Sequence, residues 1–137
     1  MPRKTLKDKQ DKQQKLQQSK AIKNRVLPLV ESINGTEDAD DLMGELLGLL
    51  SESGSSTVEA GKYYTFVYSP KTSGISYDEY PLVAVTEVLQ WGFKGFNFHW
   101  NDGRQYTWTE IVGGVYNILD QEITDVRKIP FGKIRSK

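Results

Sequence analysis

The chain contains no cysteine among its 137 residues. Disulfides and thiolate metal ligands are therefore excluded as sources of stability. It has a single histidine, His99, and no aromatic residue ahead of Tyr63. All 7 Tyr, 5 Phe and 3 Trp fall from Tyr63 to Phe131, so the first 60 residues carry no ring at all. No run of about 18 apolar residues is present, which removes a membrane-spanning helix. The opening MPRKTLKDKQ lacks the apolar stretch of a signal peptide. Together these absences predict a soluble protein made and used in a reducing compartment. A metal site would have to rest on carboxylates and one imidazole, so none is expected, and no cofactor is.

What the chain does have is unevenly placed. Rings supply the largest apolar payload of any side chain, so the compact fold is expected beyond Gly61, within residues 61–133. Charge is segregated as well, although the formal net charge is zero. Nine cations (Arg3, Lys4, Lys7, Lys9, Lys12, Lys15, Lys20, Lys23, Arg25) stand against two acids in residues 1–25, whereas residues 26–60 hold eight acids and no base. Such a cation run suits phosphates or a protein partner, and these nine are the candidate phosphate- or partner-binding residues. Lys- and Gln-rich residues 1–20 offer little to bury and are expected to be a disordered basic arm.

Residues 21–56 read as a helical hairpin and linker. Ile22, Val26, Leu29, Val30 and Ile33 share one helical face, interrupted by Pro28 and stopped at Asn34-Gly35. Thr36 is expected to cap a second helix whose first turn is crowded with Asp38, Asp40 and Asp41. That helix carries Leu42, Leu46 and Leu49 on its apolar side, which marks them as candidate partner-binding residues. SESGSS at 51–56 reads as a flexible linker.

From residue 62 the pattern is β. KYYTFVYS (62–69), PLVAVTEVLQ (81–90), FKGFNFHW (93–100) and RQYTW (104–108) are expected strands, with a loop over 71–78 and a hairpin turn at Asn101-Asp102-Gly103. Gly92 and Gly95 suggest a bend or bulge. A capping box at Thr107–Glu110 leaves residues 108–117 open to helix, against which Gly113-Gly114 argues. Four or five short, bent strands predict a small SH3-like or OB-like barrel, mainly β within an α+β chain.

Motifs for chemistry are sparse. His99 between aromatics reads as a hydrogen-bonded structural residue rather than a general base. Asp38, Asp40 and Asp41 lack the Gly and distal Glu of a calcium loop. Tyr77-Asp78-Glu79-Tyr80 reads as a turn before Pro81. No catalytic role is assigned, and the expectation is a binding protein rather than an enzyme. Trp91, Phe93 and Trp108 belong to a ring cluster too dense for one face of a small barrel, so they are candidate partner-binding residues, suited to protein anchors or stacked bases.

One set of motifs carries a resemblance. Tyr64-x-Phe66-x-Tyr68-x-Pro70-Lys71, then Tyr77-Asp78-x-x-Pro81-Leu82-Val83, then Gly92-Phe93-x-Gly95-x-Asn97-Phe98-His99-Trp100 with Arg104 following, resembles small proteins of T-even-like contractile-tailed bacteriophages of the cyanophage type. It covers residues 61–133 and leaves the front unmatched. The resemblance implies a structural component of the virion in the tail, baseplate or neck region. Such a component would be made in the host cytoplasm and held by contacts with other virion proteins in a symmetric, multi-copy assembly. The alternative expectation is a sequence-independent DNA-binding protein, such as one on packaged phage DNA ends.

Overall fold

A computed structural model of the protein describes residues 24–131 and 134–137. The expected disordered arm, with Arg3, Lys4, Lys7, Lys9, Lys12, Lys15, Lys20 and Lys23, lies outside the described residues. Two helices come first, α1 (Leu27–Ser32) and α2 (Ala39–Leu49). Pro28 falls in the first turn of α1, where its missing donor removes no helical bond, so it starts the helix rather than breaking it. Thr36 does not cap α2. Its amide and hydroxyl both donate to Asn34 Oδ1 in the preceding turn, and Asp38 takes the cap position.

Six strands form one antiparallel sheet in the order β1-β7-β2-β4-β5-β6: β1 (Gly54–Ser55), β2 (Tyr63–Tyr68), β4 (Leu82–Val88), β5 (Gly92–Asn97), β6 (Asp102–Thr107) and β7 (Ile111–Ile118). β3 (Ser76–Tyr77) and β8 (Arg135–Ser136) make a separate two-stranded ribbon, and a short helix α3 (Ile123–Val126) follows β7. Residues 51–55, expected as a flexible linker, form a 3₁₀ turn and then β1, paired to β7. Residues 108–117 are not helical. A 3₁₀ turn at Trp108–Glu110 leads into β7, and Gly113, with φ of 76°, sits where the β2–β7 register shifts.

The expected SH3-like or OB-like barrel is not formed. Among the described residues the sheet has two unpaired edges, β1 and β6, and no ladder joins them. What the bent strands produce instead is a curl. β2 and β6 are three strand spacings apart, about 14 Å in a flat sheet. Yet the Phe66 and Tyr106 ring centroids are 5.2 Å apart and those of Tyr68 and Tyr106 5.1 Å apart, in edge-to-face contact. The bulge that permits this lies on β4 between Val85 and Glu87, opposite Gly95 rather than within β5. Gly92 and Gly95 serve close approach, since a Cβ would lie 1.9 Å from Tyr106 O and 2.3 Å from Val83 Cγ1 respectively. The mixed α/β architecture, with no closed barrel, lends no support to a tail or baseplate placement.

Two apolar clusters lie on opposite faces of the sheet. The inner cluster, within the curl, joins Val58, Tyr64, Phe66, Val83, Val85, Phe93, Tyr106 and Val115. The outer one is covered by the helices: Val26, Leu29, Leu42, Met43, Leu46 and Leu50 pack against Tyr80, Leu82, Ile118, Val126, Ile129 and Phe131. Of the two partners open to the helical hairpin's apolar side, its own chain or another protein, residues of the same chain between 80 and 131 meet residues 26–50 in this cluster. Leu29, Leu42, Leu46 and Leu50 are consumed in covering this face of the sheet, while Leu27 and Leu49 stay exposed.

Candidate functional site

The curl leaves an open mouth at the end where β5 turns into β6. Loop 70–78 crosses this mouth, and a cleft of about 200 Å³ lies between the loop and the strands. Tyr68, Asp78, Asn97, Arg104, Tyr106 and Glu110 line it. Asn97 ends β5 with its side chain inward, because alternation along the strand puts Phe93, Gly95 and Asn97 on one face. Its amide is a hub. Oδ1 accepts from the amides of His99 (2.8 Å) and Trp100 (3.1 Å), which fixes the turn, while Nδ2 donates to Asp78 Oδ2 (3.1 Å) and the Tyr106 hydroxyl (2.9 Å).

Asp78 is buried, and its charge is offset by donors from three directions. Tyr80 N reaches Oδ1 at 3.2 Å, and Oδ2 takes Asn97 together with His99 Nδ1 at 2.8 Å. The contact with the carboxylate assigns the imidazole proton to Nδ1. His99 Nε2 is buried without a hydrogen-bond partner among the described residues, near the Phe131 ring. Tyr106 resists ionisation, first because it is desolvated and then because Asp78 is close, with Asn97 working the other way.

Glu110 anchors the opposite wall. It accepts from Thr107 Oγ1 (2.5 Å), Lys71 N (2.8 Å) and Tyr68 OH (3.0 Å). The Thr107 hydroxyl, then the Lys71 amide, hold its carboxyl below the usual range. Tyr68 is pushed up to about 12 by desolvation and by donating to that carboxylate. Each carboxylate therefore accepts three hydrogen bonds from fixed donors. Chemically the pair works as two anchors that hold loop 70–78 against the curl.

Of the nine candidate cations only Arg25 lies among the described residues, and the six candidate anchors there fall into different surroundings rather than one cluster. Arg25 is part of the fold. Its guanidinium grips Glu122, fully buried, through Nη2 to Oε1 at 2.8 Å and Nε to Oε2 at 3.1 Å, and its amide adds a bond at 2.7 Å. Further bonds reach the Ser53 hydroxyl and Asn117 O. Leu42 and Leu46 are core residues, whereas Leu49 is largely exposed. Phe93 is buried between Phe66 and Tyr106. Trp108 is half-buried, stacks at an angle on Phe93 with centroids 5.3 Å apart, and donates Nε1 to Gln90 O at 3.0 Å. Trp91 stands out, 43% exposed at the β4–β5 turn, and Val88 at the end of β4 is 44% exposed.

Sequence reasoning missed the Asp78–Asn97–His99 hub and the Arg25–Glu122 clamp. The first had a faint signal in Asn97-x-His99, a turn-forming Asn next to a lone His. The second had none, since its partners are 97 residues apart. No protein-family model, no curated protein and no solved structure matches the chain.

Proposed function

We propose that the protein is a structural component of a bacteriophage particle that acts through contacts with other virion proteins. The observation that carries this reading is the β4–β5 end of the sheet, where Trp91 is 43% and Val88 44% exposed. An exposed Trp whose backbone is tied in place, with Trp108 N donating to Trp91 O, is the type of side chain that dominates protein interfaces, because it buries a large area and loses little conformational freedom. The anchoring of both cleft carboxylates also fits a scaffold, since their donors are spent on holding a loop in place. The motif resemblance points the same way.

The test is incorporation. Purified particles should contain the chain, and a Trp91→Arg variant that melts like the wild type should be lost from them. Absence of the wild-type chain from washed particles would remove the reading. The competing reading, sequence-independent binding to DNA, rests on the cation run of residues 1–25, now without Arg25. It requires an affinity for duplex that falls steeply as salt rises.

A further inference from the structure

The large sheet ends at β6, a six-residue strand with a paired neighbour on one side only among the described residues. The phase of its ladder is set where Trp108 N donates to Trp91 O at 3.1 Å. Alternation along an antiparallel pair then turns the backbone groups of Asp102, Arg104 and Tyr106 toward β5, and those of Gly103, Gln105 and Thr107 away from it. Beside this edge, the outer face carries a shallow groove of about 600 Å³ lined by Thr86, Lys94, Phe96, Gly103 and Gln105. Phe96 is 37% exposed there, and its cross-strand neighbour, Gly103, has no side chain to cover it.

We infer that this edge pairs with the same edge of a second copy of the chain, antiparallel, with Gly103 facing Gly103 across a two-fold axis. An isologous contact of this kind requires a self-complementary patch, and β6 supplies one. With Gly103 on the axis, the outward backbone groups of one copy meet those of the other as a hydrogen-bonded pair. Asp102 of each copy then lies directly across from Arg104 of the other, on one face of the sheet. Both side chains are partly exposed and of opposite charge, 3.8 Å apart within one copy. A register centred on Arg104 would set two guanidiniums against each other, and one centred on Gln105 would leave these charges unmatched. On the other face the two Phe96 side chains reach toward each other over the paired glycines, about 14 Å apart at Cα, and close the groove. Charges commonly guard an edge strand against pairing; here their alternating sign admits a reversed copy in this register.

The full chain provides a clean test, because it has no cysteine and a Cβ at Gly103 meets nothing within 4 Å. A hydrogen-bonded antiparallel pair holds its Cα atoms about 5.5 Å apart, within the range a disulfide spans. Under mild oxidation Gly103→Cys is expected to convert to a covalent dimer, at least about ten times faster than Gln105→Cys, which faces residue 101 of the second copy. Gly103→Lys should weaken dimerisation in sedimentation equilibrium about tenfold or more without changing the thermal melt. Asp102→Arg should weaken it too, and Asp102→Arg with Arg104→Asp should restore it. Two results overturn the inference: a monomer up to about 1 mM with no cross-linking of Gly103→Cys, or faster cross-linking through Gln105→Cys. These measurements use the purified protein alone, so they stand or fall separately from its presence in particles.

Discussion

The inner and outer clusters divide the core between them, but the chain builds them in opposite ways. The inner one draws its eight members from residues 58–115, most of them on β2, β4, β5 and β6, which pair with near neighbours in sequence, with Val115 added through the β2–β7 ladder. The outer one joins residues 26–50 to Tyr80, Leu82 and residues 118–131, so its two halves come from distant parts of the sequence. Their polar fastenings differ in the same way. Asp78, Asn97 and His99 lie within 21 residues of one another, whereas Arg25 and Glu122 are 97 apart. The lesson is that a ring-rich hairpin region can look self-sufficient and still depend on a face closed by remote leucines.

The sharpest way to break this comparison is at the clamp. Arg25→Ala strands a fully buried carboxylate and is expected to cost about 3–5 kcal/mol, read as a lowered denaturation midpoint. Replacing both partners by apolar residues, Arg25→Met with Glu122→Leu, should cost less than the single change. If Arg25→Ala leaves the midpoint unchanged, the clamp is not what fastens the outer half. Paired core truncations come next. Phe66→Ala in the inner cluster should cost about 3–5 kcal/mol and Leu46→Ala in the outer one about 2–5 kcal/mol. Amide exchange then decides whether the clusters are coupled. In one cooperative unit, Leu46→Ala raises exchange in β4, β5 and β6 as much as in α2. Protection confined to residues 62–112, with none over 26–50, would separate them.

Smaller effects sharpen the polar side. His99→Ala removes one of the donors to Asp78 and is expected to cost about 1–3 kcal/mol, with the largest rise in exchange at Tyr80 and Trp100. Glu110 governs the pH response of loop 70–78. Its folded carboxyl gives up its proton more readily than the unfolded one. The stability it contributes is therefore complete above about pH 4.3 and is lost as pH falls through the lower folded value. Exchange at Lys71 should rise over that window in the wild type and be raised already at neutral pH in Glu110→Gln. Least of all, Leu49→Ser should change stability by less than about 0.5 kcal/mol.

Much of the inner half was legible. KYYTFVYS and PLVAVTEVLQ announce β2 and β4 through β-branched and aromatic density, but the turn expected at Asn101-Asp102-Gly103 lies earlier, over residues 98–101 with the positive φ of 54° at Asn101, and Asp102 and Gly103 already belong to β6. Closure was not legible, because a bulge and two glycines bend a sheet equally well whether or not its edges meet. Trp91 and Phe93 share a parity that would place them on one face. Trp91 nevertheless precedes the first residue of β5 and turns outward. Leu42 and Leu46 announced an apolar stripe, but nothing local says whether such a stripe is met by the same chain or by another. The two-residue strands β1, β3 and β8 exist only through their partners, so no periodicity could reveal them.

The remote origin of the outer cluster also sets a schedule for synthesis. Leu42, Leu46 and Leu50 leave the ribosome about 80 residues ahead of Phe131, and at about 5–20 residues per second that interval is several seconds. During it the acidic helix has its leucines bare while the hairpins of the inner half can already form. A nascent chain of this protein is thus amphipathic at its front for most of its translation. Its vulnerability to premature association, and any need for a chaperone, falls in that interval.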